Sequence, residues 1–190
     1  EKTNTFQVDL TFYEQFRQYN KGYGILLTII NITTKKAYVF PLKSKSKSDV
    51  IPAMKEFLNK EPHTNIIEAD NGVEFNNNEF RALLNNHNIE LRLFDKSKSP
   101  HGIAIVERFN RTIRDKLDNY MRVHKTKTFI DNIQSIVSQY NNTKHSSLKE
   151  KPNNITPLNE LQLMADNFNK NMIVKKNIDF KIGDKVRLLK

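Results

Sequence analysis

The chain has 190 residues, 31 Lys and Arg against 21 Asp and Glu, a net charge of +10, 37% hydrophobic and 27% charged residues. That length builds one main core and hardly two complete domains, and the composition is that of a globular rather than a disordered chain. No apolar run approaches the roughly 18 to 20 residues that a membrane span requires, so no membrane partner is expected. The absence of cysteine excludes a disulfide scaffold, an iron–sulfur cluster, a thiol nucleophile and a thiolate zinc site. The five histidines, His63, His87, His101, His124 and His145, show no close pair at metal-ligand spacing. With no initiator methionine and no signal-peptide pattern, the chain reads as a piece of a longer protein.

The charge is unevenly spread. Residues 1–95 hold 12 basic and 12 acidic side chains, and residues 96–190 hold 19 and 9. Such asymmetry points to a polyanionic partner met mainly by the second half, because each Lys or Arg set against a phosphate releases a condensed counterion. Charge alone does not single out nucleic acid, since Lys- and Asn-rich proteins are common in AT-rich genomes.

Phe6, Val8 and Leu10 alternate with Gln7, Asp9 and Thr11, the period of a strand with one apolar face, and Asp9 falls in its middle. Tyr23 to Ile32 and Ala37 to Leu42 read as two more strands joined by a turn, so the chain opens as an antiparallel meander. The alternating Lys and Ser of 43–48 form a solvated loop, with a DNA-contacting loop as the alternative. Ser48 or Asp49 is expected to cap a helix running to about Lys60. Asn65 to Asp70 is a short buried strand ended by the turn signal Asn71-Gly72, which leaves Asp70 at a strand end. A short helix over 78–88 and a strand over 89–94 follow.

Asp95 to Gly102 is a polar loop, and a long helix is expected from about Ile103 to His124. At 100° per residue Val106, Phe109, Ile113, Leu117 and Tyr120 share an arc of about 80°, the core face. Glu107, Arg111 and Arg114 lie within about 60° on the neighbouring edge. A helix over about 129–140, a polar stretch over 141–157 and a short helix over 157–168 complete the order. This is an α/β chain, a mixed five-stranded sheet flanked by helices. The expected division is a core over 1–150, a linker with a short helix over 151–175, and the start of a small barrel over 176–190.

Asp9, Asp70 and Glu107 stand out. Most acidic residues are solvated surface charges, and Glu107 with Arg111 can be read as an ordinary i,i+4 helix pair worth about 0.3–0.5 kcal/mol. Asp9 and Asp70, however, lie within or beside apolar strands, where an unpaired charge is costly. A divalent cation held between carboxylates removes that cost.

Val8-Asp9-Leu10, Glu68-Ala69-Asp70-Asn71-Gly72-Val73-Glu74-Phe75 and Ile105-Val106-Glu107-Arg108-Phe109-Asn110-Arg111-Thr112-Ile113-Arg114 together resemble the retroviral-type integrases and related transposases. Those have an RNase H-like fold and a triad of two aspartates and a glutamate. Between Asp70 and Glu107 lie 36 residues, one more than that family's usual number. Tyr140 to Leu148 and Pro152 look most like the integrases of Maverick/Polinton-type transposons and their viral relatives, and Ile182 to Arg187 resembles the start of the barrel that follows the core there. Ile103 and Ala104 stand where retroviral members carry Gln and Gly, which implies a stiffer loop hinged at Gly102. The family's amino-terminal His/Cys zinc module has no counterpart in these residues, as expected if the chain begins after it.

The resemblance implies a metal-dependent DNA integrase that processes 3′ ends and transfers strands, with Asp9, Asp70 and Glu107 as catalytic residues and metal ligands. It implies two Mg²⁺ ions, replaceable by Mn²⁺. Asn71, His101, Asn110, Arg111 and Arg114 would contact DNA. The partners would be double-stranded DNA, both element ends and target, and further copies of the chain, acting in a host nucleus or with a virion. Three other classes remain open: an RNase H-like nuclease that does not join strands, a non-catalytic domesticated DNA-binding protein, and an unrelated basic α/β domain.

Overall fold

The computed structural model of the chain describes residues 4–95, 97–99 and 101–174. The backbone forms two units, Glu1–Ile155 and Thr156–Lys190. In the first unit β1 (Thr5–Phe12), β2 (Ile25–Asn31) and β3 (Ala37–Leu42) form the expected antiparallel meander. β4 (Ile66–Asp70) and β5 (Glu90–Phe94) add parallel to β1, in the order β3-β2-β1-β4-β5. Parallel neighbours need crossovers, and these are α1 (Lys47–Lys60), between β3 and β4, and α2 (Asn78–Asn86), between β4 and β5.

Two layers cover the sheet. On one side Phe6, Val8 and Leu10 of β1, Ile25, Leu27 and Ile29 of β2, and Ile67 and Ala69 of β4 pack against Val50, Met54, Phe57 and Leu58 of α1 and Phe80 and Leu84 of α2. Their i, i+4, i+7, i+8 spacing in α1 is what turns one stripe of that helix inward. Asn77 starts α2 by accepting the Phe80 N–H at 2.9 Å. On the other side Leu26, Ile30, Ala37 and Val39 pack against Val106, Phe109, Ile113 and Leu117 of α3 (Ala104–Val123) and Ile133, Ile136, Val137 and Tyr140 of α4 (Ile133–Asn141). The five core-face residues read from the α3 sequence are all on this side, with Tyr120 at its margin. Each fully buried Phe or Leu in these layers contributes about 1.5–3 kcal/mol.

Four details differ from the sequence expectations. A 3₁₀ segment, Glu14–Tyr19, follows β1, and a second, Pro152–Asn154, lies after α4. The fourth helix starts at Ile133 rather than 129, after a turn in which the Phe129 and Ile130 N–H groups donate to Oδ1 of the buried Asn20 at 2.7 and 3.0 Å. Residue 46, not 48 or 49, is at the α1 N-cap, and Asp49 instead accepts from the Ser44 N–H at 2.7 Å and its hydroxyl at 2.8 Å. In the second unit α5 spans Pro157–Val174, longer than the expected 157–168. The barrel expected over 176–190 lies outside the described residues. No described helix is long and apolar enough to cross a membrane.

Candidate functional site

In a pleated strand, alternate side chains share a face. With Phe6, Val8 and Leu10 committed to the α1/α2 side, Gln7, Asp9 and Thr11 face α3. The same alternation in β4 commits Ile67 and Ala69 to the α1/α2 side and turns Glu68 and Asp70 to the α3 side. β1 and β4 are registered at Thr5↔Ile66, Phe6↔Ile67 and Gln7↔Glu68. Asp9 and Asp70 each lie two residues beyond the last of these pairs, at the carboxyl end of the parallel region. In open α/β sheets this is the end where ligands bind.

Two amides tie this seam to α3. Gln7 is only 4% exposed. Its Nε2 donates to Glu68 Oε2 at 3.0 Å and to the Gly102 carbonyl at 2.9 Å. Its Oε1 accepts from the backbone N–H groups of Ile105 and Val106, each at 3.1 Å. The α3 N-cap residue, Ile103, offers no side-chain cap, so the strand glutamine supplies the oxygen that the helix end lacks. One turn further on, Asn110 Nδ2 donates to Asp9 Oδ2 at 2.7 Å, and Asn110 Oδ1 accepts from the Thr28 hydroxyl at 2.6 Å. Thr28 is the β2 partner of Asp9 in the ladder. Glu107 stands three residues before Asn110, hence one helical turn away on an adjoining face.

Asp9, Asp70 and Glu107 are all half-buried. Oδ1 of Asp9 accepts the Leu10 N–H at 2.8 Å, and Oδ1 of Asp70 accepts the Gly72 N–H at 3.2 Å, which fixes the turn after β4. Among the described residues no three His, Cys, Asp or Glu side chains are gathered closely enough to hold a metal together. As a donor set the three carboxylates offer hard oxygens, suited to Mg²⁺ or Mn²⁺ rather than zinc.

Of the residues expected to meet DNA, Arg111, Arg114, His101 and Asn71 are exposed. Asn71 Oδ1 accepts from Asn76 Nδ2 at 2.7 Å. Asn110 departs from its expected place on the DNA edge. It is 6% exposed and its amide is spent on Asp9 and Thr28, an inward orientation that follows from its angle. At 100° per residue it lies about 20° from Leu117 and Met121, both buried. That angle was available in the sequence. The role of Gln7 was not, because an alternating polar residue in a strand reads as solvated until a second layer is known to cover that face.

Gly102 has a steric reason to be glycine. A Cβ there would meet the Phe94 ring at 2.5 Å, so the loop before α3 packs directly on the end of β5.

The mixed five-stranded sheet, with helices on both faces and the polar seam at the carboxyl ends of β1 and β4, is the RNase H-like fold of integrase catalytic cores. The chain has 18% identity and a TM-score of 0.64 with the HTLV-2 integrase catalytic core domain solved in complex with magnesium in a trimeric form, covering 79% of this chain and 93% of that one. With the dimeric form of that core the values are 20%, 0.59, 73% and 86%. A chain of the simian T-cell lymphotropic virus intasome, solved in complex with the PP2A regulatory subunit B56 gamma, matches at 15% identity and TM-score 0.71 over 82% of this chain and 56% of its own. In sequence, the chain is 30% identical over 176 residues to an uncharacterized transposon-derived protein of Caenorhabditis elegans. That match covers 92% of this chain and 58% of the relative, so the chain spans little more than half of its length. No family model matches the chain.

Proposed function

We propose that the chain is the catalytic core of a transposon or viral DNA integrase, related to the Maverick/Polinton type. It would be a polynucleotidyl transferase that trims 3′ ends of element DNA and joins them to target DNA. The observation that carries this reading is the seam in which Gln7, Asp9, Glu68 and Asp70 turn toward the helix bearing Glu107, with Asn110 bonding Asp9 at 2.7 Å. A basic chain of net charge +10 and a transposon-derived relative support a DNA substrate.

Asp9, Asp70 and Glu107 would hold two Mg²⁺ ions, consistent with a related core solved with magnesium. Metal bound there supplies Lewis-acid activation of the attacking oxygen and offsets charge building at phosphorus. The remaining work belongs to the chain. Asn110 holds the Asp9 carboxylate in one orientation, and Gln7 fixes the first turn of α3 against the sheet, which restricts where Glu107 can stand. Arg111 and Arg114, exposed on the edge that carries Glu107, bind backbone phosphates, with Asn71 and His101 on the flanking loops.

In the first step a water oxygen bonds to phosphorus as the bond to the 3′ oxygen breaks, leaving a 3′-hydroxyl on the element. In the second, that hydroxyl attacks a target phosphodiester in line and displaces the target's own 3′ oxygen. No covalent bond to the protein is needed. Two element ends must be joined together, so the core works with further copies of itself, in a host nucleus or with a virion.

The test supplies a labelled duplex with a recessed 3′-hydroxyl and a supercoiled plasmid, with Mn²⁺ present. Label covalently joined to the plasmid is the expected result. Nicked plasmid without joined label would instead identify a nuclease of the same fold.

A further inference from the structure

We propose that a groove on the flank of α3 away from the carboxylates binds one unpaired nucleotide of a DNA strand. It has a volume of about 590 Å³ and is lined by residues of β2, the turn after it, α3, α4 and the loop following α4. Its α3 residues centre about 140° around the helix from Glu107 at 100° per residue. The groove is thus separate from the edge that carries Glu107, Arg111 and Arg114.

The lining is chemically divided. Ile30, Phe109 and Tyr140 form a buried apolar floor, with the Phe109 and Tyr140 rings 4.9 Å apart. The half-buried His145 ring meets Tyr140 edge-on at 4.6 Å. At the rim stand Lys35, Arg108, Lys116 and Lys144, and none of the lining residues is acidic. Among the described residues no carboxylate lies within 4.0 Å of the Lys35, Arg108 or Lys116 cation. The hydroxyls of Ser146 and Ser147 add neutral donors.

Lys35 is held where its ammonium charge is disfavoured. Its backbone is left-handed at φ 59°, and its ammonium bonds the Ile32 carbonyl. Burial, and then the neighbouring Arg108 guanidinium, push its pKa down to about 8. Like charges held together beside an apolar floor are relieved by an anion that also carries a flat apolar body.

A nucleotide answers that description. Its phosphate meets the cations, and its base lies against the half-buried His145 ring at the margin of the apolar floor, a contact that accepts any base. The volume is within the roughly 300–1,000 Å³ of small-ligand pockets, so it admits a nucleotide and not a duplex. The choice of nucleic acid over another anion rests on the DNA-handling function proposed above, whereas occupancy of the groove needs no metal and none of the three carboxylates.

The experiment measures binding of fluorescein-labelled oligo-dT of five nucleotides to the whole chain by anisotropy in EDTA, beside an abasic oligomer of equal charge, a blunt hairpin duplex and a polyglutamate peptide. Arg108→Glu and Lys116→Glu should each weaken oligo-dT by about tenfold or more, with a smaller effect on the duplex, and the abasic oligomer should bind about tenfold more weakly than oligo-dT. Irradiation of the same oligomer carrying 5-iodouracil should crosslink it to His145 or Tyr140. Equal binding of the abasic oligomer, unchanged affinity in both variants, or polyglutamate competing as well as oligo-dT would each overturn the proposal, the last by making the groove an acidic-peptide site. Oligo-dT binding in the groove by a chain that never joins strands would leave this inference standing and remove the proposed function. Joining activity without groove binding would do the reverse.

Discussion

Asn110 and Asp9, on different elements and 101 positions apart, are joined by a 2.7 Å hydrogen bond from the Asn110 amide to Asp9 Oδ2. The other end of the same amide takes the hydroxyl of Thr28, the ladder partner of Asp9. A carboxylate held this way cannot rotate freely, and groups that orient a metal-binding side chain are worth about 10- to 100-fold in metal affinity or activity. Asn110→Ala should therefore raise the Mn²⁺ concentration needed for half-maximal strand joining by about that factor. It also strands the partners of the amide, at about 1–3 kcal/mol. The matching fall in Tm is about 2–12 °C at roughly 2–4 °C per kcal/mol for a chain of this size, read by calorimetry. An unchanged metal requirement would leave Asn110 with a structural role alone.

Gln7 makes four hydrogen bonds from a buried position, two of them to the α3 N-terminus. Gln7→Leu keeps the approximate size and removes all four, so the unfolding free energy from urea titration should fall by about 2–4 kcal/mol. Gln7→Glu should be at least as damaging at neutral pH, because it loses the donor to Glu68 and sets a second carboxylate beside it. A variant as stable as the parent would show that α3 is held by its apolar face alone.

The fold was largely legible in the sequence, because its two main signals are physical periods: alternation in β1 and the roughly 80° apolar stripe of α3. Those periods also located Asp9, Asp70 and Glu107 in the middle of a strand, at a strand end and in the first turn of a helix. What they could not convey is what covers the polar face of β1. Gln7 and Thr11 look solvent-facing in the alternation, yet they are 4% and 0% exposed, since α3, nearly a hundred residues later, closes over them. The turn before α4 was hidden for the same reason: the Phe129 N–H donates to Asn20, a contact across 109 positions.

Gly102 and Phe94 form a second close relationship. Because a Cβ at 102 would stand 2.5 Å from the ring, Gly102→Ala should destabilise by about 1–3 kcal/mol, the usual cost of overpacking. The double variant with Phe94→Leu should recover part of that loss. Equal loss in the double variant would mean that backbone conformation, not the ring, forbids the side chain.

Lys35 gives a pH signature. Its folded pKa of about 8 is below the ordinary 10.5, so between those values the unfolded chain binds more protons than the folded one. Stability contributed at this site therefore rises as pH increases from about 8 to 10.5. Arg108 is the charged group that acts on it, and Lys116, Lys144 and His145 line the same groove. Lys35→Met should be more stable than the parent at pH 7, and the difference between the two should shrink across that window. Parallel stability profiles would contradict the lowered pKa.

Arg111 and Arg114 are exposed beside Glu107. If both meet phosphates, replacing the pair by Ala should weaken duplex binding and flatten the slope of log affinity against log salt by about 1.8, near 0.9 per lost contact. An unchanged slope would put the duplex on another face.

The most direct test of the central claim is disintegration of a branched DNA, the reverse of strand transfer, by the chain in Mn²⁺, with Asp70→Asn compared in parallel. The parent is expected to reseal the target strand and release the element end. Asp70→Asn should lose about 100-fold or more of that activity, beyond the effect of losing an orienting partner alone, while keeping its Tm and its affinity for duplex DNA. Disintegration that persists in a folded Asp70→Asn protein would contradict the assignment of this seam as the active site.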